Sequence, residues 1–268
     1  MKTFLVSIFL TLTSLIVAEE RSVTAVTANP WQYGVSALAM SKYYGSIFGG
    51  TFYPGPMSFT DLSASRQNRF GSLTLDLSLG QKLDRLDAYN RDGGNEYDFT
   101  VDQTFRFGSK SHPVLIDAGL CYLTVHDLRK MSDDAFEEFV RLDFPIGADR
   151  TDGPIFEPYV EIFHYQKVGG FLDNGWFMYG GAFRDQKLGC RLLGKELVLN
   201  IDYRMGVSAG GFSSKSGIEY HRLTLSLPIQ GKKWTVVPSL IAQVRGGEHQ
   251  TFVHKNEVFE TIQFKRAF

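Results

Sequence analysis

Beyond residue 18 the apolar side chains recur at every second position, and no stretch repeats them at three, four and seven. Leu73, Leu75, Leu77 and Leu79 alternate with Ser72, Thr74, Asp76 and Ser78. Tyr97, Phe99, Val101, Phe105 and Phe107 alternate with Asp98, Thr100, Asp102, Thr104 and Arg106. The same period runs from Leu197 to Val207 and from Leu223 to Ile229. A period of two puts one set of side chains on each face of a β-strand. The pattern predicts strands at 33–43, 56–66, 71–80, 97–108, 113–125 and 135–144, then at 155–167, 175–185, 195–206, 219–230, 233–244 and 257–268. Strands of a soluble sandwich also alternate, but they average about 5–6 residues. Several of these are about twice that, and a tilted bilayer-spanning strand needs about 9–11 residues.

The fold class that follows is all-β, a transmembrane antiparallel β-barrel of twelve strands over residues 32–268; ten or fourteen strands also fit within the boundary error. An even number brings both ends of the barrel to the same side of the membrane. Inside hydrocarbon every backbone N–H and C=O needs a partner, so the first strand must pair with the last. Long connections are expected at 44–55, 81–96, 126–134, 168–174, 207–218 and 245–256, and short ones at 67–70, 109–112 and 231–232. Long on one side and short on the other is the asymmetry of such barrels. The stretches 145–154 and 186–194 are read as turns on the short side, longer than that rule expects.

The first eighteen residues have a different pattern. Lys2 is followed by an apolar run from Phe4 to Val17, closed by Ala18 before Glu19, Glu20 and Arg21. A basic start, an apolar middle and a small residue at the end describe a cleaved secretory signal peptide over 1–18. The alternative is an N-terminal membrane anchor, for which the run is short, since a spanning helix takes about 20 apolar residues. Residues 19–31 then form a periplasmic N-terminal segment, and the expected destination is the bacterial outer membrane.

Composition narrows the picture. The hydrophobic fraction of 43% and the mean hydropathy of −0.13 encode no bundle of membrane helices. The aromatic fraction of 14%, with 22 Phe and 12 Tyr, suits the two aromatic girdles of a barrel. Of 28 basic residues the signal peptide removes only Lys2, leaving 27 against 29 acidic ones. Nothing strongly basic remains, so nucleic acid is not an expected partner. The expected partners are outer-membrane lipid, the barrel-assembly machinery, and small solutes or ions. Cys121 is placed in mid-strand and Cys190 in a turn near one end, too far apart for a disulfide.

The last predicted strand carries Val258, Ile262, Phe264 and Phe268 on one face, and the sequence ends on Phe268. A final membrane strand with a C-terminal Phe resembles the recognition signal of Gram-negative outer-membrane barrel proteins. The resemblance implies that Phe268 is an assembly signal. Arg266 departs from it, standing where that pattern has an apolar or aromatic residue. The opening stretch Val35–Ser36–Ala37–Leu38–Ala39–Met40–Ser41–Lys42–Tyr43–Tyr44, with Pro54–Gly55–Pro56 after it, is similar to the start of twelve-stranded porins of the TorF type. That likeness lies in strand rhythm rather than in a chemical motif, and it implies a porin-like function.

No zinc-spaced cysteines, two-histidine helical motif or helix-capping phosphate loop is present, so no cofactor or metal is expected. Outer-membrane phospholipases also use twelve strands, with a Ser and a His near the membrane boundary. Here His221 and Ser226 are five apart, hence on opposite faces of one strand, and His164 has no identifiable serine partner. No catalytic residue is assigned. Turning each apolar face outward leaves a polar inner set as candidate lumen-lining residues. Its acidic members are Asp76, Asp98, Asp102, Asp143, Glu157, Glu161 and Asp202. Its basic members are Arg106, Arg141, Arg204, Arg222 and Arg245. Charges of both signs in a barrel of this size imply a hydrated, ion-paired lumen. The functional expectation is a channel for small solutes or ions. The alternatives are a plugged structural or adhesive surface barrel and an outer-membrane lipid hydrolase.

Overall fold

The computed structural model describes residues 30–44, 51–53, 55–83, 95–128, 131–150, 153–170, 173–208, 216–247 and 255–268. The proposed signal peptide, most of the segment 19–31 and much of the expected long connections fall outside the described residues. What is described is a closed antiparallel barrel without helices.

Twelve strands span it. They are β1 (Gln32–Met40), β2 (Met57–Asn68), β3 (Gly71–Lys82), β4 (Asn95–Gly108), β5 (Pro113–Leu128) and β6 (Met131–Asp143), followed by β7 (Glu157–Gly170), β8 (Gly175–Leu192), β9 (Lys195–Ser208), β10 (Gly217–Ser226), β11 (Trp234–Arg245) and β12 (Glu257–Ala267). A two-residue strand, Ile229–Gln230, adds to β11, and a small hairpin pairs Tyr43–Tyr44 with Thr51–Tyr53. Each spanning strand pairs with its sequence neighbours, and β1 closes the ring on β12 through Gly34↔Ala267 to Met40↔Thr261. The seam is reinforced by the Phe268 N–H donating to the Tyr33 carbonyl at 3.0 Å. Closure leaves no edge in the membrane, which is the condition for spanning it with strands.

The alternation sorts the side chains as the pattern requires. Leu62, Leu77, Phe99, Leu120, Ile162, Leu240 and Ile262 stand exposed on the exterior. Aromatic residues bound this belt at both ends. Tyr33, Phe107, Phe144 and Trp234 lie toward the end where β1 starts and β12 finishes, and Tyr97 and Phe136 toward the distal end. An apolar band between aromatic girdles is the exterior of a transmembrane barrel.

Three sequence expectations are corrected. The stretch 186–194 is not a turn: β8 runs to Leu192, and only Leu193–Gly194 reverses the chain before β9. Cys190 therefore lies in a strand, and both cysteines are free. The connection 126–134 is not a long loop either, because β5 and β6 continue until Leu128 pairs with Met131. In both places bulges interrupt the two-residue period, at Lys187/Arg191 and at Val125/Leu128. A bulge shifts the following side chains to the other face and so erases the sequence signal.

Candidate functional site: the barrel interior

Direct cross-strand partners share a face, so the register fixes which side chains point inward. Ser63, Asp76, Thr100, Cys121 and Glu137 form one inward row. Arg106, Leu115, Asp143, Tyr159, Gly181, Arg204, Arg222 and Gln243 form another. By the same rule Asp98, Asp102, Arg141, Glu157, Glu161, Asp202 and Arg245 also face inward. All twelve candidate residues thus share the interior surface, although they do not form one cluster. Phe268 lies at the outer face of the seam, 71% exposed, with the Arg266 guanidinium 5.0 Å from its ring centroid.

The interior divides into two walls. On β2–β5 lie Asp61, Asp76, Asp98, Asp102 and Asp117. Among the described residues none of the five forms an ion pair. Asp61 accepts hydrogen bonds from Ser36 Oγ at 2.5 Å and Ser78 Oγ at 2.7 Å. Asp117 accepts one from Thr104 Oγ1 at 3.4 Å, and its carboxyl lies within hydrogen-bonding reach of Asp102. Asp98 Oδ1 is buried without a partner. Asp117 is also the direct cross-strand partner of Arg141, but that guanidinium is committed elsewhere.

On β6–β10 the arginines are matched, although Glu157 forms no ion pair among the described residues. Arg141 donates from Nη2 to Asp143 at 2.7 Å and lies 3.7 Å from Glu161. Its guanidinium sits 4.4 Å from the Tyr159 ring centroid. Arg204 donates to Tyr159 Oη at 3.2 Å, pairs with Asp202 at 3.7 Å, and covers the Tyr179 ring at 4.1 Å. Arg222 donates from Nε and Nη2 to Gln243 Oε1 at 2.9 and 2.7 Å and lies over Tyr220 at 4.6 Å. Tyr179 hydrogen-bonds Glu161, and Tyr159 donates to Asp202 at 2.7 Å. Guanidinium groups stacked on aromatic faces and held by carboxylates are a desolvated arrangement.

In a ring of twelve, β3 stands opposite β9 and β4 opposite β10. Rows of paired residues climb about 3 Å per strand for a tilt near 40°. Following the register, Asp76 and Arg204 lie within about 4 Å of the same depth. The acidic wall therefore looks across at the arginines.

The expectation that apolar faces turn outward everywhere does not hold. Toward the distal end Met40, Phe59, Phe163, Phe177, Tyr220, Ile241 and Phe259 are buried inside the barrel. Four inward aromatics lie over a glycine directly opposite: Phe59 over Gly80, Phe139 over Gly119, Tyr159 over Gly181 and Tyr220 over Gly206. A methyl group on Gly119 would stand 2.5 Å from the Phe139 ring. The missing side chain lets the ring lie along the wall instead of crossing the axis. Toward the start of β1 the interior is polar, with a cavity of about 340 Å³ lined in part by Asn200, Asp202, Thr224, Ser239, Gln263 and Lys265. The polar interior expected from the pattern thus matches one half of the barrel, and an aromatic collar occupies the other.

Sequence reasoning missed Asp61, Asp117 and the inward tyrosines. Asp61 sits in a strand polar on both faces, and Asp117 in one apolar on both, so neither strand shows which way it faces. Histidines form no catalytic constellation among the described residues. His221 faces outward and pairs with Tyr203 Oη at 2.8 Å, whereas Ser226 faces inward against Ser239. His164 is also on the exterior, near Glu138 at 3.3 Å and stacked on Trp176.

No family model and no curated protein matches the sequence. Among solved structures the chain is similar to the KdgM porin, with a TM-score of 0.47 at 11% identity over 88% of this chain and 99% of that one. It is similar to the transport unit of the autotransporter AIDA-I from Escherichia coli, with a TM-score of 0.46 at 10% identity over 96% of this chain and 97% of that one. The translocator domain of autotransporter NalP from Neisseria meningitidis gives 0.45 at 9% identity, over 96% and 94%. These are resemblances of outline without functional weight, and the barrel rests on its own strand register.

Proposed function

We propose that the chain is a bacterial outer-membrane channel that passes small solutes or ions and prefers cations. The observation that carries this reading is the acidic wall: five inward aspartates of β2–β5 without an ion-pairing cation, facing arginines that already have partners. Buried carboxylates without cations are costly unless water reaches them. A hydrated path along that wall meets this condition, and its fixed negative charge raises the local cation concentration. The rings laid over glycines favour a passage beside the collar rather than a solid plug. In this reading the end with the termini faces the periplasm, residues 1–18 are the export signal, and Phe268 is read by the assembly machinery. No enzymatic activity is assigned.

The test is conductance of the refolded protein in a planar bilayer under a salt gradient. Wild type is expected to conduct with cation preference, and the variant carrying Asp98→Asn and Asp102→Asn to lose most of that preference while still conducting. A fully folded wild type without conductance would overturn the channel and leave the plugged structural or adhesive barrel.

A further inference from the structure

The longest hairpin of the described residues lies where the shortest are expected. The last partner of β8 on β7 is Glu157, opposite Phe183, and the last partner of β9 on β10 is Ser226, opposite Asn200. Residues 184–199 therefore form a two-stranded ribbon beyond the barrel, paired only with itself. From Arg184 to Glu196 every residue is exposed. The ribbon holds Arg184, Lys187, Arg191 and Lys195 against Asp185 and Glu196. Lys187 pairs with Glu196 at 3.9 Å, and Asp185 is hydrogen-bonded by Asn200, so Arg184, Arg191 and Lys195 remain without an ion pair among the described residues.

Two features do not serve the barrel. Leu193 occupies the turn with φ of 52°, a conformation that suits glycine or asparagine, and it is 63% exposed. Leu188 and Leu192 are exposed beside it at 44% and 43%. Neither membrane nor core accounts for bulky apolar groups at the tip of a strained turn. The second feature is the edge of β9, Lys195–Leu199, five residues of regular strand whose outward backbone groups have no neighbouring strand. An open edge with leucine and valine side chains is a template for an added strand. The β8 edge is less suitable, because the bulge after Lys187 distorts it.

We propose that the β9 edge Lys195–Leu199 accepts an added strand from an acidic, extended segment of a periplasmic polypeptide. Arg191 shares one face of the ribbon with Glu196 and Lys195 the other with Leu192, so each cation meets a carboxylate on its own face of the added strand, and the tip leucines cover its apolar side chains. The inference rests on the orientation proposed above for the nature of the partner, though not for the binding itself.

The test uses the full barrel refolded in detergent and a fluorescein-labelled peptide, Glu-Val-Thr-Val-Thr-Glu-Val, with one carboxylate on each face, followed by anisotropy. Binding is expected, at least tenfold weaker when the central Val is replaced by Pro, which cannot pair. It should also be at least tenfold weaker to the variant carrying Arg191→Glu and Lys195→Glu. Shortening the ribbon by joining Gln186 to Leu199, direct partners in the ladder, through Asn-Gly should abolish binding. The heat-dependent gel shift of a closed barrel confirms that each variant is folded. No binding by wild type, equal binding of the proline peptide, or equal binding by the shortened barrel would overturn the proposal. So would ribbon-dependent binding to anionic vesicles without peptide binding, which would assign the ribbon to a lipid surface. Cleavage of the ribbon by protease added to intact cells would overturn the orientation and leave the peptide result standing.

Discussion

On the β2–β5 side of the interior, aspartates meet hydroxyls and one another; on the β6–β10 side, arginines lie between carboxylates and tyrosine rings. Both walls carry ionisable groups in a confined space, yet they satisfy them differently. The arginine wall is cross-linked: Arg141, Tyr159, Arg204 and Tyr179 connect strands β6 to β9 through cation–π contacts and charge-assisted hydrogen bonds. The acidic wall has hydroxyl contacts and no ion pair among the described residues. One wall is cross-linked and the other is not, and under the proposed function the second is the side along which solutes pass.

The largest expected effect tests the cross-linked wall. Arg204→Leu removes the partner of Asp202 and the cation over Tyr179. It should lower the unfolding free energy by about 3 kcal/mol, as for breaking a buried pair, measured by denaturant titration in lipid vesicles. A loss below about 0.5 kcal/mol would mean that this wall is as solvated as the other.

Next comes a pair on one strand of the acidic wall. Leu75→Arg places a charge on the exterior belt and should cost about 2–4 kcal/mol if it lies near the bilayer midplane. Asp76→Asn, one residue along and facing inward, should change stability by less than about 0.5 kcal/mol. Equal damage from both would reverse the assignment of faces.

Tyr179→Phe takes one hydrogen bond from Glu161 and leaves the ring under Arg204. A loss of about 1.5 kcal/mol is expected for a bond to a charged acceptor. The smallest energetic effect is expected from Asp98→Asn, whose consequence should appear in the reversal potential of the channel rather than in stability. A large stability change there, without a selectivity change, would move Asp98 into the scaffold.

Much of this was legible in the alternation of β3, β4, β9 and β12, where one face is plainly apolar. Leu73 to Leu79 and Val258 to Phe264 face outward as their period requires, and all twelve predicted strands are present within a few residues, save that β8 runs on to Leu192. The two walls were not legible, because they depend on register. Gly119 and Phe139 are twenty positions apart, and nothing local marks them as opposite partners. Asp117 is hidden among Leu115, Ile116 and Ala118, where apolar residues occupy both faces. The inward tyrosines run against the rule that aromatics face lipid, and only their glycine and arginine neighbours across the sheet explain them. The β8–β9 ribbon was obscured by its own bulge.

The seam between β1 and β12 has a consequence for the order of events in making the protein. Its pairs join residues more than 220 positions apart, such as Gly34 with Ala267. Ten other strands must be threaded before those two can meet, so β12 completes the pairing of the first strand. Until then every hairpin exposes two open edges and an apolar face. Such a chain gains little from folding during synthesis and much from being kept extended by helpers until β12 is available. Its folding time is thereby tied to the arrival of β12 rather than to any local nucleus.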